Sequence, residues 1–377
     1  MKTKQVIAQS FNQIADDILS GNYAPKVKIA LTTIGSEHDD KIWEQVVSNF
    51  NLKEYTPVLI GKKLGDFEHY QADSLEAAHA IMNKLFADNK IDGAVTLHYD
   101  FPIGVSTVGK VITPGLGKEM YIATTTGTTA INRVEAMVKN TIIAIATAKA
   151  NGIKQPKVGI LNIEGARHVE KLLTDLKTNG YDINFATSAR ADGGCVMRGN
   201  DLLMGTPDIM VCDSLTGNLL IKVLSAFTSG GNYETSGSGY GPGLPTNEDS
   251  SVNLINIISR ASGAPLIVSA LSYCAKSATN KIMKINCAEI ALANKAGLND
   301  LLKLHCGQKA KSYASIQVPE KEIVTYQISG IDILEIEDAC QKLWQENIYA
   351  ETGMGCTGPI ILVSSSNADK AKEILNK

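Results

Sequence analysis

The order of apolar runs and helical segments along this chain predicts an α/β protein built on a mostly parallel sheet. Two observations carry that expectation. Strand-length apolar runs such as Val27-Lys-Ile-Ala-Leu-Thr32 alternate with segments of helical period, the pattern of βαβ units with right-handed crossovers. The chain has 377 residues, enough for two domains or one large α/β unit, and no internal repeat or low-complexity tract.

The elements follow in order. Gln5 to Leu19 reads as a leading helix, Val27 to Thr32 as a first strand and Asp39 to Asn49 as a helix. Tyr55 to Ile60 and Ala94 to Leu97 read as strands, with a helix from Ser74 to Ala87 between them. A Gly/Pro-rich stretch from Tyr99 to Lys118 precedes a long Ala-rich helix, Asn132 to Asn151. A second run begins with strand Val158 to Asn162, a helix from Ala166 to Asn179, and strands near Ile183 to Ala186 and Ile209 to Cys212. A helix from Leu215 to Phe227 follows. The stretch Thr228 to Asn247 is so rich in glycine that it reads as a loop without a core face, either a lid or partner-contact loop or a plain linker. Beyond it the pattern reads as a helix Ser250 to Ser262, a strand Pro265 to Ser269 and a helix Asn286 to Leu304. A polar stretch then leads to a helix Leu334 to Asn347, a strand Ile360 to Val363 and a last helix from Asn367.

Composition narrows the function. Hydrophobic content is 44%, charged content 20% and net charge −3, without the positive bias that nucleic acid or an anionic membrane would select. The first ten residues hold no apolar core of signal-peptide length, and no apolar run approaches the roughly 20 residues that span a bilayer, so a cytoplasmic protein is expected. Seven scattered cysteines, with no CxxC pair and no zinc spacing, point to thiols rather than to a disulfide framework or a metal site.

One cysteine stands apart. Cys356 lies in Glu351-Thr-Gly-Met-Gly-Cys-Thr-Gly-Pro359, before the apolar run Ile360 to Val363. Glycines let other backbone approach closely and free amide groups to face an anion, a thiolate or a phosphate. The same segment also suits a buried structural cysteine in a turn. A second segment runs through Ile209-Met-Val-Cys-Asp-Ser-Leu-Thr-Gly-Asn218 to Lys222. It places Asp213 at a strand end and Thr216, Gly217 and Asn218 at a helix start, where amides and the helix dipole favour phosphate. Asp213 and Thr216 also read as caps and Lys222 as solvated surface. Two further turns deliver polar groups to strand ends. Asn162, Glu164, Arg167 and His168 follow the strand at 158, and His168 is a general base, a phosphate donor or a surface histidine. Thr124 to Arg133 combines hydroxyls with Arg133 at a helix start, an anion site or a hydroxyl-rich cap.

Taken together these segments resemble the phosphate acyltransferases of the PlsX type. The resemblance rests on the strand at 158–163, the run Gly199 to Asp213, the turn Ser214-Leu-Thr-Gly-Asn218 with Lys222, and Gly355-Cys-Thr-Gly-Pro-Ile-Ile-Leu-Val363. The family's Asp-Gly-Phe-Thr-Gly-Asn run reads Asp213-Ser-Leu-Thr-Gly-Asn218 here, with two positions changed. The thiol at 356, Val363-Ser364 in place of a His-Gly pair, and the glycine-rich stretch at 228–247 depart from the lipid enzymes. They resemble a related branch, the alpha subunits of component C of the glycine/sarcosine/betaine reductase complex, whose Gly-Met-Gly-Cys-Thr-Gly-Pro run matches residues 353–359. The resemblance implies a two-lobed fold like that of isocitrate and isopropylmalate dehydrogenases, shared by PlsX and phosphotransacetylases. One lobe would be 1–155 with 305–377 and the other 156–304. It implies an acetyl thioester on Cys356 that phosphate attacks to give acetyl phosphate. Thr216, Gly217, Asn218 and Lys222 would bind phosphate, and the Gly353, Gly355 and Thr357 loop would supply an oxyanion hole. Asp213, Asn162, His168 and Arg133 would support the site. The implied partners are a selenoprotein acetyl donor, a beta subunit and a second copy of the chain, with no metal or organic cofactor. A PlsX-type enzyme acting on acyl carrier protein thioesters and a non-catalytic docking subunit are the competing readings.

Overall fold

A computed structural model of the protein describes residues 26–190, 193–228, 239–248, 252–306, 318–331, 336–355 and 358–375, together with Phe11 and Ala15. The expected leading helix lies otherwise outside the described residues.

The strands are β1 (Val27–Thr32), β2 (Tyr55–Gly61), β3 (Glu68–Gln71), β4 (Gly93–Thr96), β5 (Val105–Ile112), β6 (Glu119–Thr128), β7 (Lys157–Leu161), β8 (Asn184–Phe185), β9 (Val196–Met197), β10 (Ile209–Val211), β11 (Gly241–Pro245), β12 (Ile255–Ile257), β13 (Tyr326–Ile328), β14 (Ala350–Gly355) and β15 (Gly358–Val363). Strands β1 to β12 form one sheet in the order β3-β2-β1-β4-β12-β11-β5-β6-β10-β7-β8, with β9 also on β7. Pairing is parallel in both outer halves. It is antiparallel only in the middle, where β11 and β5 join the halves. This is the mostly parallel α/β sheet that the alternating pattern predicts.

Side-chain alternation along the strands separates the two faces. On one face a single core runs the full width, from Ile29, Leu31 and Val95 to Val108, Ala123, Ile160 and Val211. Helices Lys41–Ser48, Ala264–Thr279, Arg133–Ala150, Ala166–Thr178, Ile282–Lys295 and Leu298–Cys306 contribute to it. On the other face the core is split. Helix Leu75–Ala87 covers Ala30, Val58, Ile60, Ala94, Ile255 and Ile257. Helix Ser214–Thr228 covers Val111, Met120, Ile122, Met210 and Cys212. Tyr240 packs against both clusters and so lies between them.

The helix starts are written in the sequence. Ser74 accepts a hydrogen bond from the Ala77 amide (3.2 Å), and Asn132 accepts from the Val134 and Glu135 amides (2.9 and 3.1 Å).

Several expectations need correction. The Gly/Pro-rich stretch at 99–118 contains β5, and Thr124–Thr128 is the end of β6 rather than part of a helix start. Gly241–Pro245, expected in a loop without a core face, is a fully buried strand. The helix expected over Ser250–Ser262 holds β12, and the strand expected at Pro265–Ser269 is inside helix Ala264–Thr279, which has proline in its first turn. The single helix expected over 286–304 is two, separated at Gly297, whose φ of 89° no helix accommodates.

The final strand does not continue the parallel rhythm. β15 pairs antiparallel with β13 and β14 in a separate three-stranded sheet. That sheet has its own core, formed by Ile328, Ile336, Leu343, Ile348, Ile361 and Val363, into which Ile103 packs. Strand pairing joins β5 and β6 to β10 and β7. It also sets 326–375 apart from the large sheet.

Candidate functional site

A small cleft of about 10 Å³ lies between helix Ser214–Thr228 and the start of helix Ala264–Thr279, lined by Lys222, Ser225, Tyr240, Ser259 and Leu266 among others. Lys222 comes from helix Ser214–Thr228 and is exposed. Ser259 follows β12, at the carboxyl end of the parallel strands of the first half.

The amino end of helix Ser214–Thr228 follows directly from β10. Asp213 caps it: Oδ1 accepts from the amides of Leu215 (3.1 Å) and Thr216 (3.0 Å), and Oδ2 accepts from the Thr216 hydroxyl (2.7 Å). The Gly217 amide donates to the Asp213 carbonyl (2.9 Å). The first-turn donors that an anion would use are thus held by the protein's own carboxylate and carbonyl. Gly217 is glycine for a steric reason. A Cβ there would overlap the Thr124 carbonyl oxygen of β6. One residue on, the Asn218 side-chain amide donates to the Thr125 carbonyl (3.1 Å), fastening the helix to the same strand. Thr125 itself donates to the Tyr240 carbonyl (2.7 Å), which ties the cleft floor to β6.

Because β6, β7 and β10 are parallel, their carboxyl ends share one edge. Arg133 and Glu164 meet there in an ion pair of 2.9 Å whose carboxylate is 88% exposed, a contact worth little in high dielectric. Asn162 is exposed and anchored through its backbone, its amide donating to the Met197 carbonyl (2.7 Å). His168 packs its ring edge-to-face on His305, with centroids 5.8 Å apart, and so faces helix Leu298–Cys306. The structure thus joins Asp213 to Thr216 and Arg133 to Glu164, and places Lys222 in the cleft.

The hairpin β14–β15 pairs from Ala350 with Val363 to Gly355 with Gly358. Cys356 and Thr357 lie outside the described residues. The small sheet is docked on the connection between β4 and β5: Gly353, two residues from the last paired residue Gly355, bridges to Pro102, and the Gln327 side-chain amide of β13 donates to Asp100.

Residues 96–100, which lead to that bridge, hold a polar cluster that the motif reading missed. The Thr32 hydroxyl donates to Thr96 Oγ1 (2.8 Å), and Thr96 donates to the His98 carbonyl (3.2 Å). His79 Nε2 lies 3.1 Å from the same hydroxyl, and His98 Nε2 lies 3.1 Å from Asp100 Oδ1. Burial, with the neighbouring His98, lowers the pKa of His79 and favours its neutral ring. The available signal was His98-Tyr-Asp100 just beyond the apolar run at 94–97, a strand end like the others.

A family model described as fatty acid synthesis protein matches residues 27–362. The chain belongs to this family. It is 49% identical, over 99% of its own length and 97% of the relative's, to the glycine/sarcosine/betaine reductase complex component C subunit alpha of Peptoclostridium acidaminophilum. It is 25% identical to the phosphate acyltransferase of Thermotoga maritima, over 56% of this chain and 68% of that one. Among solved structures, a branched-chain phosphotransacylase from Enterococcus faecalis V583 aligns with a TM-score of 0.45 and 15% identity, over 67% of this chain and 99% of that one. Among the described residues no helix is long and apolar enough to cross a membrane.

Proposed function

We propose that the chain is an acyltransferase subunit that carries an acetyl group as a thioester on Cys356 and passes it to phosphate, releasing acetyl phosphate. The observation that carries this reading is the end-to-end similarity to a component C subunit alpha, in a chain whose other relatives include phosphate acyltransferases.

The chemistry balances without a cofactor. An oxygen of hydrogenphosphate bonds to the thioester carbonyl carbon, the tetrahedral oxyanion collapses, and the carbon–sulfur bond breaks. The proton of hydrogenphosphate offsets the charge of the departing Cys356 thiolate. Amides of the 353–357 loop would stabilise the oxyanion, and Lys222 and Asn218 would hold phosphate. Lys222 is exposed, whereas Thr216 and Gly217 can offer their amides only when Asp213 releases them. Arg133, Asn162 and His168 stay at the margin of this reading, because their contacts are an exposed ion pair, a backbone anchor and a ring on His305. The acetyl group would arrive from a selenoprotein component, with a beta subunit and a second copy of this chain as partners in the cytoplasm.

The test is arsenate-dependent loss of acetyl phosphate by the purified chain. Wild type is expected to be active and to carry an acetyl adduct on Cys356 by mass spectrometry, and Cys356→Ala to lose on the order of 10³-fold or more of the rate. Equal rates in the two proteins would return the case to direct phosphate acyl transfer on acyl carrier protein thioesters, the reading that the phosphate acyltransferase relatives favour. No activity in either, even with the beta subunit added, would leave a docking subunit.

A further inference from the structure

A second cleft, of about 400 Å³, lies at the opposite end of the parallel strands from Ser259. Its walls are the entry to β1 (Lys26 and Val27), the entry to β2 (Lys53 and Glu54), Lys110 of β5, and the second half of helix Ala264–Thr279. At β5 the two clefts open on opposite faces of the sheet: Lys110 lines this one, whereas a Cβ on Gly109 would point at Ile221 and Gly239, which line the first.

Its charge runs against that of the molecule. The chain carries −3 overall, yet four lysines (Lys26, Lys53, Lys110 and Lys276) line this cleft against one carboxylate, Glu54. A concave surface lined by one sign of charge focuses the field and concentrates ions of the opposite sign. One of the four is built into the floor. Lys110 is only 21% exposed along its side chain, its ammonium 5.6 Å from the ring centroid of Tyr273 and 2.9 Å from Glu119. Tyr273 is held beneath it by a hydrogen bond to the Val108 carbonyl (3.3 Å). Ser269, Ser272 and Thr279 add hydroxyls to the same wall.

We infer that this cleft binds a phosphorylated small molecule. Lysine ammoniums recognise phosphate as point charges and hydroxyls complete the hydrogen bonding, while Val27 and the lysine stems give the apolar contact that a ligand body needs. The volume is in the range of small-molecule sites. The inference does not depend on the acyl-transfer reading, because nothing in it involves Cys356 or Lys222.

Calorimetric titration of the full chain with inorganic pyrophosphate at low ionic strength tests it. Saturable binding is expected, weakened at least tenfold by the double substitution Lys53→Gln and Lys276→Gln. Both of these lysines are exposed, so the fold tolerates the change. Ser272→Phe, which fills the cleft without altering its charge, is expected to weaken binding as much, and Lys222→Gln to leave this event in place. Absence of saturable binding overturns the inference. So does binding that survives the double substitution, binding lost only with Lys222→Gln, or binding that Ser272→Phe leaves intact.

Discussion

The amino end of helix Ser214–Thr228 and the hairpin β14–β15 are alike in sequence and unlike in structure. Both hold a Thr-Gly pair, Thr216-Gly217 and Thr352-Gly353, and both read as cradles for an anion. At the helix the protein has already used what the motif offers. Asp213 takes two amides and a hydroxyl, and Gly217 lets the helix press against the Thr124 carbonyl. At the hairpin a Cβ on Gly353 would meet nothing closer than side-chain atoms of Ile360 and Leu362 at 3.5 to 3.8 Å. Glycine is a steric requirement in the first place and a choice in the second. Composition alone does not separate the two uses.

Substitutions can break this contrast or sharpen it. The largest effect belongs to the hairpin and is chemical: Cys356→Ala should abolish arsenolysis while leaving the unfolding free energy from urea titration within about 0.5 kcal/mol of wild type. Retained activity would remove the chemical half of the contrast. Next comes Gly217→Ala, expected to cost about 3 kcal/mol because the intruding methyl meets backbone that cannot turn aside. A urea midpoint near wild type would show that helix and strand are not pressed together. Asp213→Ala should cost about 1 kcal/mol as a lost cap, and Asp213→Asn, which keeps the cap, much less. An equal loss in both would mean that the carboxylate's charge, not its capping geometry, matters. The smallest effect is Gly353→Ala. Thermal melting should place it within about 0.5 kcal/mol of wild type, since the added methyl has room and strand glycines carry an entropic penalty.

Much of the outer halves of the sheet was legible because their strands and helices keep clean periods, as Val27–Thr32 and Ala166–Thr178 do, whereas the short elements Glu68–Gln71, Val196–Met197 and Gly199–Met204 are too brief to show one. The middle was not. Gly241 and Gly243 look like loop residues, but a Cβ on Gly241 would overlap the Val108 carbonyl and one on Gly243 the Phe101 ring. Close packing removed the side chains by which a strand is recognised. The interchange of helix and strand over 250–269 has a different cause. A short apolar run such as Leu254 to Ile258 fits either period, and the decisive signal was the proline that opens the next helix. At the candidate site the strand end at Asp213 and the helix start after it were legible, and of the two readings given for Asp213 and Thr216 the hydrogen bonds are those of a cap. Of the cluster of His79, Thr96, His98 and Asp100 only the strand-end half left a signal, because His79 comes from a helix that only folding brings to it.

The order of strands in the sheet also sets a timetable for synthesis. β4 and β5 are consecutive in the chain, separated by residues 97–104, yet in the sheet β12 and β11 stand between them. A nascent chain that has delivered both outer halves still has no seam to join them until residues 241–257 follow. Until then β4 and β5 each present an unpaired edge, the kind of surface that recruits other chains. Strands closed by such distant partners form slowly, so the last part of the large sheet to be made is the one that guards the nascent protein against aggregation.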